Sequence, residues 1–147
     1  MRPVHLRWSS IGLVALGGAF GTAAREALSL SIPAIGGVPV AIFGINIVGA
    51  FLLGVLLEAL VRRGPDEGRR RGIRLLLGTG VLGGFTTYSA LATDTAVLLH
   101  DGQPFAAIGY SLATIVIGAL ATALGIVVGS AIQRMPRQHG SQSASDS

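Results

Sequence analysis

The chain has 147 residues, half of them hydrophobic, no cysteine, and a net charge of +4 that comes from arginine alone. Charged residues make up 12%, against roughly 25% in a soluble domain, and the mean hydropathy is +0.66. These values exclude an ordinary soluble globule, a disulfide framework and a thiolate metal site, and arginines that flank apolar stretches point to membrane orientation rather than to nucleic acid.

Four apolar stretches follow, each near or above the roughly 20 residues of a spanning helix. The first runs from about Ser10 to Leu30. Arg2, Arg7 and "IGLVALGGAF" resemble the start of a signal peptide, but apolar sequence continues past Arg25 and three further spans make the protein integral. "GGAFG" at Gly17–Gly21 is a GxxxG packing pattern. Arg25 and Glu26 lie in the second half of this span. Either Arg25 snorkels to the interface with Glu26 offsetting its charge, or the pair serves an ion path.

"SIPAIGG" leads into the second span, from about Val38 to Val61. Asn46 is the one strongly polar side chain in its core. It reads either as an interhelical hydrogen bond of about 0.6–2 kcal/mol or as an amide donor to an ion. Glu58, near the span's end, reads as interfacial. The link "RRGPDEGRRRGIR" is charged throughout.

The third span, from about Ile73 to Leu99, contains "GVLGGFTTYSALATD". Each glycine weakens a helix by about 1 kcal/mol relative to alanine. Gly83 and Gly84 followed by β-branched Thr86 and Thr87 therefore invite an unwound turn. Such backbone is tolerated at membrane depth only inside protein or beside water, and its freed carbonyls and amides can hold ions. The competing reading is close packing, with the threonines bonded to their own helix. Asp94, in the second half of the span, suits a water-filled vestibule.

"HDGQP" turns the chain into the fourth span, from about Phe105 to Ile132. Tyr110 and Thr114 share a face at i, i+4 spacing, as a polar track or as an interfacial tyrosine over a packed threonine. "GIVVG" at Gly125–Gly129 is a second GxxxG pattern. The expected organisation is one membrane domain over residues 1–132 and a disordered polar tail over 133–147. With four spans, ten of the eleven arginines (Arg2, Arg7, Arg62, Arg63, Arg69, Arg70, Arg71, Arg74, Arg134 and Arg137) share one side and the opposite links hold none. Both termini are thus expected in the cytoplasm. No nucleophile–base pair, phosphate loop or metal-ligand cluster is legible, and His5, His100 and His139 sit at ends or in links, so an enzyme is not expected.

Three stretches together resemble the CrcB/Fluc fluoride ion channels. "GGAFGTAAREALS" is similar to their first-helix GGxxGxxxRY-type motif, "NIVGAFLLG" to their second-helix NxxGsFllG motif, and "GVLGGFTTYSALATD" to their third-helix GfxGGxTTFSTF signature. The resemblance covers essentially everything before the tail. It implies an all-α membrane protein of four transmembrane helices, the third broken near its middle, working as an antiparallel dimer in the plasma membrane. It implies two fluoride pores and a central structural sodium ion. The matching sodium ligands are the backbone carbonyls of Gly83 and Thr86. Asn46, Tyr88, Ser89, Tyr110 and Thr114 match pore positions, and Arg25 and Asp94 match vestibule positions. The expected partners are fluoride, membrane lipid and a second inverted chain, with no nucleic acid.

The chemistry agrees with that implication. Fluoride is strongly hydrated, so a pore must offer replacement donors: an amide, hydroxyls, and the positive edge of an aromatic ring. The signature is departed from at Ala90 and Leu91, and Ile42 and Gly118 stand where polar positions are usual. The fluoride track of this chain therefore looks thinned while the sodium site looks intact. The expected function is passive fluoride export, and the ten-to-none arginine bias raises the expectation of a heterodimer with an oppositely oriented homologue. The alternative is a proton-coupled small-molecule exporter of the same four-span type, with Asp94 or Glu58 as carrier. A structural partner without transport is a third reading.

Overall fold

The computed structural model of the chain describes residues 7–134. Arg2, His5, Arg137, His139 and the expected tail beyond Arg134 lie outside the described residues. The order is α1 (Trp8–Ser31), α2 (Val40–Val61), α3 (68–85), α4 (Tyr88–His100) and α5 (Pro104–Arg134). Within α3, an α-helical start at Gly68–Ile73 passes into a π-helical stretch at Arg74–Leu82 and then an α-helical turn at Gly83–Phe85.

The four helical runs long and apolar enough to cross a membrane are Trp8–Ser31, Val40–Val61, Gly68–His100 and Pro104–Ile132. They coincide with the expected spans, except that the third begins five residues before Ile73. Hydropathy marks only the apolar part of a helix, and "GRRRG" continues it into the polar zone. Large apolar side chains line the outside of the bundle, with Leu16 71% and Phe105 91% exposed. A surface this apolar faces lipid or another chain.

Both GxxxG patterns are seams between helices. A Cβ on Gly17 would lie 2.9 Å from the Gly80 Cα, and one on Gly21 would strike the α3 backbone at Val81, so α1 and α3 meet backbone to backbone. A Cβ on Gly125 would collide with Phe51 and lie 3.1 Å from the Val55 amide, which seats α5 against α2. The α4–α5 corner is closed by buried Leu91, Leu98, Ala107 and Tyr110. Leu91, expected to thin a pore, thus fills the core of its own chain. In the link before α2, Gly36 (φ 60°) and Gly37 (φ 81°) make the two-residue turn bridging Ile35 to Val38, where both central residues need positive φ.

Candidate functional site

The third span is broken, but two residues beyond the glycines. Gly83 is helical (φ −65°, ψ −35°), whereas Thr86 (φ −79°, ψ 153°) and Thr87 (φ −151°, ψ 123°) are extended. Gly84 serves packing instead: a Cβ there would collide with the Gly18 backbone and lie 3.0 Å from Thr22 Oγ1. The break falls on the threonines because their hydroxyls can replace helical partners. Thr86 Oγ1 donates to the Leu82 carbonyl (2.9 Å), and Thr87 Oγ1 accepts from the Ala90 amide (3.2 Å), capping α4.

Asn46 closes the break from α2. Its Oδ1 accepts from the Thr87 amide (2.8 Å) and its Nδ2 donates to the Thr87 carbonyl (3.1 Å), as a neighbouring strand would. One turn along, Gly49 leaves room for Thr86; a Cβ would overlap the Thr86 methyl and lie 3.4 Å from Phe85 Cδ1. The spacing in "NIVG" therefore sets a clamp and a gap on one face. One N–H of the Asn46 amide remains for another acceptor.

The break also frees carbonyls. In a continuous helix Gly83 would accept from the Thr87 amide and Thr86 from the Ala90 amide; both donors are diverted, to Asn46 and to Thr87 Oγ1. Gly84 is compensated by long bonds from Thr22 Oγ1 and Arg25 Nε, each 3.4 Å. The break frees the carbonyls from Gly83 to Thr86 of their helical donors, and the two matched to a sodium site are among them, a hard oxygen set suited to an alkali cation. A Cβ on Gly83 would meet only the Gly78 carbonyl, at 3.8 Å, so that side of the break is open in the single chain. Among the described residues no group of three or more His, Asp or Glu side chains could hold a metal ion.

Arg25 and Asp94 line one cleft of about 360 Å³ with Glu26, Ser29, Ile42 and Ala90. Arg25 Nη1 lies 3.7 Å from Glu26 Oε2. Asp94 accepts from the Tyr110 hydroxyl at 3.1 Å, and Thr114 Oγ1 donates to the Tyr110 carbonyl at 2.7 Å. Tyr110 and Thr114 are only 6% and 5% exposed, whereas Tyr88 is 80% exposed and Ser89, also exposed, pairs with Thr87 Oγ1 at 3.1 Å. One chain therefore holds two separate networks, Asn46–Thr87–Ser89 at the break and Asp94–Tyr110–Thr114 between α4 and α5, with Tyr88 outward. Glu58 pairs with Arg62 at the end of α2.

Sequence reasoning missed Thr22, one turn before Arg25 on the same face, and the Thr95–Ser111 hydroxyl pair (2.7 Å) joining α4 to α5. Spacing could have found Thr22; the second pair needs the interhelical register.

The family model described as "CrcB-like protein, Camphor Resistance (CrcB)" matches residues 12–126. The chain is 56% identical to the fluoride-specific ion channel FluC 2 of Leifsonia xyli subsp. xyli (strain CTCB07), over 88% of this chain and 90% of that one. It is 49% identical to FluC 1 of Cutibacterium acnes (strain DSM 16379 / KPA171202), over 75% and 78%. It is 39% identical to FluC of Paracoccus denitrificans (strain Pd 1222), over 79% and 90%.

Proposed function

The chain belongs to the CrcB/FluC family of fluoride-specific ion channels, and from that premise we propose that it is a passive fluoride channel subunit of the plasma membrane, built as an antiparallel dimer over residues 1–132. The observation that carries the reading is the clamped break. A helix interrupted at Thr86–Thr87, held by Asn46, leaves one amide N–H, the Ser89 hydroxyl and an exposed Tyr88 edge beside unpaired backbone. Those are the donors that a desolvated anion needs. Tyr110 and Thr114 extend the track in the α4–α5 network, and the cleft of Arg25 and Asp94 is its vestibule.

The Gly83 and Thr86 carbonyls would hold the structural sodium ion, against the open side of Gly83. A cation there would supply positive charge to the freed carbonyls of the break. Both termini lie in the cytoplasm, where hydrogen fluoride that has entered the cell ionises and becomes the exported ion.

The test is fluoride efflux from liposomes, measured with and without a proton gradient. Passive flux independent of the gradient is expected. Flux that requires the gradient makes the protein a proton-coupled exporter, and no flux under either condition makes it a structural partner.

A further inference from the structure

At the arginine-rich end of the bundle, a polar notch of about 180 Å³ opens between the starts of α1 and α3. Arg7, Ser9, Gly68 and Arg71 line it. The Arg7 guanidinium has no hydrogen-bond or ion-pair partner among the described residues. Arg71 gives Nε and Nη2 to the Asp66 carbonyl, at 2.9 and 2.5 Å, with Nε also 3.9 Å from Asp66 Oδ2, and keeps Nη1 for another acceptor; the charge left unpaired is that of Arg7. The notch does not end at its polar wall. It shares Ser10 and Leu75 with a second groove of about 410 Å³, lined also by Ile11, Val14, Ala15 and Thr79, which runs down the same seam. Trp8, 78% exposed, lies in sequence between Arg7 and Ser9 of the notch, and an exposed tryptophan at the end of a spanning helix marks headgroup depth.

We infer that this seam binds one anionic phospholipid, its phosphate in the Arg7–Arg71 notch and an acyl chain in the groove beside Ala15. Charge and shape select the occupant together. Two guanidinium groups and serine hydroxyls face a headgroup phosphate. An apolar trough continues from them in the direction a lipid tail takes. A soluble anion would fill the notch and leave the groove empty. A peptide helix would fill the groove without explaining the unpaired charge. The site lies at the α1–α3 seam and is independent of which ion the channel carries.

The full chain, solubilised with equal parts phosphatidylglycerol and phosphatidylcholine, is examined by native mass spectrometry. Selective retention of phosphatidylglycerol is expected. Arg7→Gln and Arg71→Gln should each lower that selectivity about fivefold, while Arg63→Gln, outside the notch, leaves it unchanged. Ala15→Trp fills the groove and keeps both arginines, and it should also release the lipid. Because the chain has no native cysteine, a benzophenone on Ala15→Cys reports the occupant directly, and a lipid adduct is expected. Equal retention of the two lipids, loss at Arg63→Gln matching that at Arg7→Gln, undiminished binding by Ala15→Trp, or a chain-to-chain adduct at position 15 would each overturn the inference. The last would give the groove to a second copy.

Discussion

Asn46 combines two tasks in one amide. It pairs both backbone groups of Thr87 and keeps one N–H that the proposed function gives to fluoride. Asn46→Leu strands both Thr87 groups, at about 1–3 kcal/mol of stability. It also removes a charge-assisted donor, which at about 1.5–3 kcal/mol lowers fluoride efflux by about tenfold or more. Asn46→Asp still accepts from the Thr87 amide, but it sets an acceptor against the Thr87 carbonyl in place of the Nδ2 donor and offers fluoride only negative charge. Lowered melting with abolished efflux in Asn46→Asp is the expected pattern; unmutated efflux in both variants would reduce Asn46 to packing. The neighbouring glycines differ in the same way. Gly84→Ala meets the α1 backbone and should destabilise the chain, whereas Gly83→Ala meets open space inside it. Loss of sodium-dependent assembly in Gly83→Ala, with the chain itself intact, is the outcome expected if that face closes on a second chain.

At the scale of the helix, the seams depend on absent side chains. Gly125→Val drives a side chain into the Phe51 backbone and should separate α5 from α2, with a large fall in thermal stability. Gly118→Ala adds a methyl group at ordinary contact with Ile47 Cδ1, 3.8 Å, and gains up to about 1 kcal/mol of helix propensity. It should be neutral or stabilising in a detergent melt. The start of α3 is pH-dependent. Arg74 donates to Asp66 Oδ2 from Nε (3.1 Å) and Nη2 (2.8 Å), and this holds the Asp66 carboxyl below its ordinary value of 3.8. A depressed carboxylate contributes at pH above its unfolded value and stops contributing as pH falls through its folded value. Protection from hydrogen exchange, relative to the intrinsic rate, in the first turn of α3 should therefore be constant near neutrality and fall only below pH 3.8. Asp66→Asn should show the lower protection at neutral pH.

For the whole molecule, the charge count and the open face of the break bear on one question. The networks at the break and between α4 and α5 share no hydrogen bond among the described residues, and Tyr88 is exposed, which agrees with the proposal that a second chain completes the path. An inverted copy of the same sequence must insert against ten arginines on one side and none on the other, which the positive-inside rule opposes. We therefore expect a membrane-impermeant label to reach the termini only from the cytoplasmic side when the chain is expressed alone, with fluoride flux appearing on addition of an oppositely biased homologue. Equal labelling from both faces with full flux would establish a dual-topology homodimer.

Span number and approximate limits, the GxxxG seams and the presence of a break in the third span were legible in the sequence, because hydropathy and residue size act locally and backbone at membrane depth must be paired within helices or buried in protein. The family resemblance, carried by three short motifs, was legible for the same reason. Other features belonged to the tertiary structure. The break moved from Gly83–Gly84 to Thr86–Thr87 because glycines that cost helix propensity are stabilised by touching α1, and extended threonines are stabilised by Asn46 across 41 positions. The π-helical stretch Arg74–Leu82 left no sequence signal beyond two glycines. Leu91 reads as a lost pore residue in a motif and as core in the fold, since only the register of α4 on α5 decides which way it faces. A sequence lists which groups need partners; the packing of one helix on another decides which partners they find.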